Sequence, residues 1–217
     1  TSQEARQFGI GDIAARKATI RLGSQETVTC TYTNTKLGTI TIVKKTVGGD
    51  GTFSYFSPQL GPFRLTTQKK TAQRTFIGTA PSVYNVSEAP TQGWDLTNAS
   101  CSNGSNPASI TVAPGEDVTC SFTNVKRGSI TVVKTSAGGD GTFPFTSTTL
   151  GGVNAAAAGG FSLTTVGGTA QRTFDNLLAG TYDLAENVPA GWAQTGASCE
   201  DGSTLPTVNV GARKNVV

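Results

Sequence analysis

The sequence predicts an all-β protein assembled from repeated modules. Thr, Ser, Gly, Val and Asn are abundant, and charged residues make up only 14% of the 217 residues. Thr and Val suit half-buried strands, whereas Gly, Asn, Asp and Pro suit the turns between them. No stretch has apolar residues at helical spacing between capping residues. Together with an internal repeat, these observations indicate strands throughout.

The internal repeat divides the chain into two modules. Two hexapeptides occur twice, GGDGTF at residues 48–53 and 138–143 and TAQRTF at residues 71–76 and 169–174. Four further residues follow with identical spacing, namely Tyr84, Glu88, Trp94 and Cys101 in the first copy and Tyr182, Glu186, Trp192 and Cys199 in the second. We therefore expect one module over residues 39–128 and another over residues 129–217, with an Ala- and Gly-rich loop near residues 152–159.

A third, partial copy opens the chain. Residues 18–38 parallel residues 108–128, the end of the first module, but residues 1–17 contain neither the Trp nor the first Cys of a module. The second module stops at the position equivalent to Thr119, before the Cys and the Phe-Thr-Asn strand that follow in the first. We therefore interpret residues 1–38 as a tail that carries a closing strand, the strand that the second module lacks.

Composition argues against several classes of function. The net charge is only +3, and Lys and Arg are scattered, whereas a nucleic-acid groove needs a basic stripe with aromatic platforms. The absence of His removes Ser-His-Asp and Cys-His catalysis and His-based zinc sites. No apolar run is long enough to span a bilayer. We therefore expect no turnover enzyme, nucleic-acid partner, membrane insertion, metal or cofactor.

Strand periodicity directs polar side chains towards the core of each module. Residues two apart on a strand share a face. The opening strand, the strand before the Trp and the closing strand each carry one polar residue on their apolar face. These residues are Lys44, Glu88 and Asn124 in the first module, Lys134 and Glu186 in the second, and Asn34 in the N-terminal copy.

Two interpretations of these polar residues stay open. A buried unpaired charge costs on the order of several kcal/mol, so such groups pair, neutralise or react. In the first interpretation they lie at strand ends, where the sheet opens to water. In the second, Lys and Asn join in a covalent isopeptide bond. Desolvation favours a neutral amine and a neutral Glu, so the amine can attack the Asn carboxamide while Glu polarises the carbonyl and ammonia leaves.

The combined pattern resembles the prealbumin-like modules (CnaB-type, transthyretin-like) of bacterial surface proteins and pili. The strand Ile-Thr-Val-Val-Lys, the segment Tyr-x-Leu-x-Glu-x-x-Pro-x-Gly-Trp and the Phe-Thr-Asn strand carry the resemblance, which covers nearly all of residues 18–217. It implies tandem Greek-key β-sandwich domains with Lys on the first strand and Asn on the last. Carried over by position, it implies a bond of Lys44 with Asn124 assisted by Glu88, and a bond of Lys134, assisted by Glu186, with an Asn from outside its own chain.

The four cysteines suggest one disulfide within the chain and one between chains. Cys101 and Cys120 lie before and within the closing strands of the first module, and we pair them. Cys199 and Cys30 occupy the complementary positions of the second module and the N-terminal copy. The short segment between Cys30 and the first module reaches about 30 Å at full extension, and a whole module then separates it from Cys199. We therefore expect this second pair to form between molecules. A Cys on the closing strand departs from the family pattern, and a disulfide there could make the isopeptide bond redundant.

Two structural functions fit these observations. In the first, the chain is a subunit of an extracellular filament on the bacterial surface. The N-terminal strand of one molecule completes the second module of an identical neighbour, with Cys30 facing Cys199 and Asn34 near Lys134, and this head-to-tail contact propagates into a fibre. In the second, the chain is a stalk piece of a longer surface adhesin that continues past residue 217.

A third class of function is a carbohydrate-binding module. It would use Trp94 and Trp192, which recur in the two modules. Each Trp follows a Gly close to a Pro, a setting more typical of a structural corner than of a sugar platform. The GGDGTF loops offer a single Asp, too few ligands for calcium.

Overall fold

The structure confirms the all-β class. This computed structural model describes residues 11–12, 16–150, 160–203, 205–211 and 215–216. The loop expected near residues 152–159 lies outside these ranges. Strands and turns dominate the described residues, and among them no helix is long and apolar enough to cross a bilayer.

The N-terminal residues up to Thr35 belong to a compact unit of their own. Strands β1 (Gly11–Asp12) and β2 (Lys17–Ala18) pair in a short antiparallel hairpin. Residues 19–37 form no strand, and Tyr32 within them is 69% exposed. The expected closing strand is therefore not formed within the described molecule, because a strand needs a neighbour for its backbone hydrogen bonds and no described segment pairs with it.

The first module follows the predicted strand pattern. Its strands are β3 (Gly38–Val47), β4 (Thr52–Phe56), β5 (Phe63–Thr66), β6 (Thr71–Thr79), β7 (Ser82–Tyr84), β8 (Ser87–Glu88), β9 (Trp94–Cys101), β10 (Ile110–Val112) and β11 (Asp117–Lys126). One sheet has the order β6-β3-β11-β9, and the smaller sheets have the orders β5-β4-β8 and β10-β7. The closing strand β11 runs parallel to the opening strand β3 and antiparallel to β9. The first and last strands of the module are therefore direct neighbours.

Alternating burial along these strands builds a single core for the first module. Ile40 and Ile42 on β3 and Phe53 on β4 are fully buried, and Phe122 on β11 is 2% exposed. Each such side chain contributes roughly 1.5–3 kcal/mol when it leaves water. The same alternation that buries these apolar residues turns Lys44 inward, where its exposure is also 0%.

The second module repeats this plan with two differences. Its strands are β12 (Gly128–Thr135), β13 (Thr142–Thr146), β14 (Phe161–Thr164), β15 (Thr169–Leu177), β16 (Gly180–Asp183), β17 (Ala185–Glu186), β18 (Thr207–Val210) and β19 (Asn215–Val216). The sheets have the orders β15-β12-β19, β14-β13-β17 and β16-β18. First, β19 pairs with β12 only at Ser129 and Ile130. Second, residues 192–199, the counterpart of β9, form no strand. Both differences concern the counterpart of β11. In the first module β11 is ten residues long and pairs with β3 and β9, whereas the described residues of the second module contain only the two-residue β19 at that place.

The GGDGTF loops are structural turns. Asp50 accepts hydrogen bonds from the backbone N–H groups of Lys69 and Lys70 at 3.2 and 2.6 Å. Asp140 accepts equivalent bonds from Gly167 and Gly168 at 3.1 and 2.8 Å. The carboxylate therefore caps the neighbouring turn in each module.

The two Trp residues pack against the Phe of the same hexapeptides. Trp94 and Phe53 make an edge-to-face contact with ring centroids 5.2 Å apart, and Trp192 and Phe143 do so at 5.0 Å. A Cβ on Gly51 would lie 3.1 Å from the Trp94 ring, so any other residue there would require the ring to shift. This geometry matches the structural corner rather than a sugar platform.

The turn after β5 yields a stability prediction. Lys70 has a φ of 68°, a left-handed conformation that costs a side-chain-bearing residue about 1–2 kcal/mol, whereas the second module has Gly168 there. After allowance for the extra freedom of Gly in the unfolded chain, Lys70→Gly should raise the free energy of unfolding by about 0.5–1 kcal/mol. Denaturant titration of each variant measures this. Gly168→Lys is the reciprocal control and should destabilise, because its Cβ would lie 2.9 Å from the Ser136 carbonyl oxygen. A loss of stability in Lys70→Gly would contradict the argument.

Candidate functional site

Three strands bring the predicted polar residues of the first module together. Lys44 lies near the end of β3, Glu88 ends β8, and Asn124 lies near the end of β11. The Lys44 and Glu88 side chains are 0% and 2% exposed, and Asn124 is 2% exposed. The group therefore lies inside the module and not at a strand end open to water.

Glu88 bridges the two nitrogen atoms of this group. Lys44 Nζ lies 2.7 Å from Glu88 Oε2. Asn124 Nδ2 donates a hydrogen bond to Glu88 Oε1 at 2.6 Å. Lys44 Nζ also donates to Asn124 Oδ1, which places the amine beside the carboxamide. Each oxygen of one carboxyl group therefore contacts one of the two nitrogens.

The surroundings of Lys44 lower the pKa of its amine. Burial lowers the pKa of the Lys44 amine, and the hydrogen bond and charge of Glu88 oppose this shift without cancelling it. The amine also lies 4.0 Å from the centroid of the Phe53 ring, whose face excludes water on that side but attracts the charged ammonium. A lowered pKa increases the fraction of Lys44 that carries a free lone pair, and only that form is a nucleophile.

This arrangement can join the two side chains. In such a step the neutral Lys44 Nζ would attack Cγ of Asn124, and a C–N bond would form as the bond from Cγ to Nδ2 breaks. Glu88 would take protons from Nζ at Oε2 and give one to Nδ2 from Oε1, so that ammonia leaves. From an initial Lys44–Glu88 ion pair, the products are an amide and ammonia, and Glu88 keeps the remaining proton. Residues including Glu88, Trp94 and Asn124 line a pocket of about 650 Å³.

Comparison with known proteins identifies the family. Residues 40–126 and residues 130–217 each match the family described as the prealbumin-like fold domain. The chain belongs to this family. No curated protein sequence matches the chain.

Several solved structures are similar to this prealbumin-like chain. The Bacillus anthracis TIE protein is 16% identical over 83% of this chain and 32% of its own, with a TM-score of 0.34. A streptococcal ancillary pilin is 15% identical over 81% of this chain and 59% of its own, with a TM-score of 0.30. The major pilin of Streptococcus pyogenes is 15% identical over 85% of this chain and 96% of its own, with a TM-score of 0.28. The chain thus spans about a third of the first of these proteins and more than half of the second.

The second prealbumin-like module contains two of the three polar residues. Lys134 Nζ lies 2.5 Å from Glu186 Oε1, and it lies 4.2 Å from the centroid of the Phe143 ring, as Lys44 does over Phe53. The Lys134 side chain is 15% exposed where that of Lys44 is fully buried. This difference follows from the pairing of β12: β15 covers one edge of β12 at Lys134, but on the other edge the described pairing with β19 stops at Ile130. Asn34 lies in the separate N-terminal unit.

The cysteines form one disulfide and leave two free thiols. Cys101 on β9 and Cys120 on β11 are direct neighbours in the antiparallel register and are bonded to each other. Cys30 is exposed and Cys199 is half-buried, and both are free. Burial raises the pKa of the Cys199 thiol, and the charge of Asp201 adds to this effect. The joint between Cys30 and Cys199 stays a prediction. The described residues contain no group of three or more potential metal ligands.

One residue of the site, Tyr55, is not among those predicted from the sequence. Tyr55 is the direct register partner of Glu88 across β4 and β8, and its hydroxyl donates a hydrogen bond to Glu88 Oε2 at 2.8 Å. Burial raises the Tyr55 pKa, and the Glu88 charge raises it further, so Tyr55 stays a hydrogen-bond donor. Its alternation with Phe53 along β4 is the signal that could have placed it in the core.

Proposed function

We propose that this chain is a structural element of an extracellular filament on the bacterial surface. Its first module is locked by an isopeptide bond between Lys44 and Asn124, and identical copies join head to tail by strand donation. The observation that carries the proposal is the buried carboxyl group of Glu88, which contacts both the attacking and the leaving nitrogen. Such chemistry occurs once at each site and consumes its own side chains, so the role is structural and not that of a turnover enzyme.

The position of the bond suits a protein under tension. The chain enters the first module at β3 and leaves it at β11, and these strands are parallel neighbours. Tension along the chain therefore pulls the two strands in opposite directions. A bond between Lys44 and Asn124, which are 80 residues apart, passes the tension directly from one strand to the other. The residues between them then lie outside the path of the force.

The unpaired parts of the second module favour strand donation. The edge of β12 beyond Ile130 and the unpaired residues 192–199 correspond to the two strands that flank β11 in the first module. Residues 26–34 repeat the sequence pattern of β11 and form no strand of their own. A strand inserted between these two segments would meet backbone partners on both sides, and it would cover an open sheet edge.

The register of the first module defines the contacts of such a joint. Cys120 lies opposite Cys101, so Cys30 of one copy would lie opposite Cys199 of the next. By the same register Asn34 would reach Lys134 and Glu186. Insertion would bury Val28, Cys30 and Tyr32, each contributing on the order of 1.5 kcal/mol or more. Because donor and acceptor are different surfaces, the contact repeats without closing and produces a fibre.

A stalk segment of a longer surface protein is the second candidate function. Residues 18–29 duplicate the closing-strand roles of residues 206–217, so in strand exchange about ten residues would be redundant. In that case the strand beside β12 comes from the same polypeptide. The proposed bond between Lys44 and Asn124 in the first module is part of both candidate functions.

The first prediction here concerns mass. The folded and reduced protein should be lighter than its sequence by one ammonia for the bond between Lys44 and Asn124. Glu88→Gln should restore the full mass, because Gln cannot carry protons between the two nitrogens. Glu186→Gln is the matched control and should leave the mass of the monomer unchanged. Intact mass spectrometry of each variant measures the loss of ammonia. A well-folded wild-type protein of full mass would refute the bond.

The second prediction concerns assembly. Boiled multimers should form a ladder of bands on electrophoresis. If disulfides alone join the copies, reduction should convert the ladder to monomer. If isopeptide bonds also join them, the ladder should persist after reduction. The variant Cys30→Ala/Asn34→Ala should give no ladder under either condition, because it lacks both covalent joints. A chain without residues 1–34 should stay monomeric but bind a synthetic peptide of residues 27–34.

Hydrogen exchange provides a structural readout of the same joint. Binding of that peptide should protect residues 192–199, because they gain a strand partner. If the truncated chain assembles as well as the full chain, strand donation is wrong and the stalk function replaces it.

A further inference from the structure

The hydroxyl group of Tyr55 has a position that the bond-forming chemistry alone does not explain. Three donors converge on Glu88, with Asn124 Nδ2 on Oε1 and both Lys44 Nζ and the Tyr55 hydroxyl on Oε2. The last torsion of a Glu side chain is broad, so a carboxyl group needs fixed donors to hold its plane. Before the bond forms, the Lys and Asn contacts are the ones that must rearrange. Tyr55 is the donor whose atoms take no part in forming or breaking the bonds.

Packing against two aromatic rings fixes the position of the Tyr55 ring and therefore of its hydroxyl group. It stacks on Phe63 with ring centroids 4.9 Å apart and planes 6° from parallel. It also meets Phe122 edge to face at 5.2 Å. Phe122 lies two residues before Asn124 on the same strand, so the strand that delivers the carboxamide also clamps the Tyr55 ring.

The second module has the same ring without the hydroxyl group. Phe145 occupies the position of Tyr55 and stacks on Phe161 at 5.1 Å, with planes 9° from parallel. The closing strand shows the opposite substitution. The N-terminal copy of that strand has Tyr32 where the first module has Phe122. The first module therefore combines Tyr on β4 with Phe on the closing strand, and the proposed joint combines Phe on β13 with Tyr on the donor strand.

We infer that Tyr55 is a positioning residue for bond formation in the first module, and that Tyr32 of the donor strand supplies the corresponding hydroxyl group to Glu186 in the joint. This inference rests on the proposed function. It makes the second module dependent on the incoming strand for both the carboxamide and the hydroxyl group. The Lys134–Glu186 pair therefore reacts faster with a strand that carries Tyr two residues before its Asn than with one that carries Phe there.

The test follows the rate of ammonia loss by intact mass after the full chain is diluted from denaturant, at several pH values. Tyr55→Phe should slow bond formation about tenfold or more and change the shape of the pH profile, because a donor to the carboxyl group has been removed. Tyr84→Phe is the matched control. It also removes a hydroxyl group that donates a hydrogen bond, to the Ala80 carbonyl oxygen at 2.9 Å, but it leaves Glu88 untouched. Equal rates and equal pH profiles for Tyr55→Phe and the wild type would overturn the role of Tyr55.

The joint is tested separately by the rate at which the reduction-resistant ladder appears. Tyr32→Phe should slow its appearance about tenfold or more, and Phe145→Tyr in the same chain should restore it. Failure of this rescue, or no effect of Tyr32→Phe, would overturn the role of Tyr32. Absence of mass loss in the wild type as well as in every variant would instead reject the proposed function, so the two failures are distinguishable.

Discussion

The parallel pairing of β3 with β11 is the constraint on which the rest of the first module depends. It brings the opening and closing strands side by side, and only this neighbourhood places Lys44 and Asn124 within reach of one carboxyl group. It also gives β9 its partner, which allows Cys101 and Cys120 to meet. Where the second module lacks the equivalent of this long strand among its described residues, β12 is open on one side and residues 192–199 form no strand.

A buried Lys and a buried Glu are an unfavourable combination unless something offsets their desolvation. Breaking such a pair leaves an uncompensated charge, and replacing it with apolar residues is often neutral or stabilising. The first module keeps the pair and adds Asn124 and Tyr55 as further hydrogen-bond partners. Conversion of Lys44 and Asn124 to an amide would remove the buried charge permanently. The disulfide clamps β9 to β11, whereas the proposed bond ties β11 to β3, so the two bonds restrain different strand pairs.

Much of this architecture could be predicted from the sequence because burial alternates along a strand. That alternation placed Lys44, Glu88 and Asn124 on inward faces, and the position of Cys101 and Cys120 before and within the closing strands of one module led to their pairing. Periodicity within one strand does not say which residues meet across strands, so the contact of Tyr55 with Glu88 was missed. Nor does a copied sequence guarantee a copied strand. Residues 192–199 match β9 in spacing but pair with no described strand, and strand formation depends on a partner as well as on local sequence.

The central claim is that a covalent bond carries tension between the first and last strands of the first module. Single-molecule stretching of the full chain under reducing conditions tests it most directly. A bonded module cannot release the 80 residues between Lys44 and Asn124, a length of about 280 Å at about 3.5 Å per residue. The account predicts that this extension is absent in the wild type and present in Glu88→Gln. A wild-type trace that releases the full length of the module would contradict it.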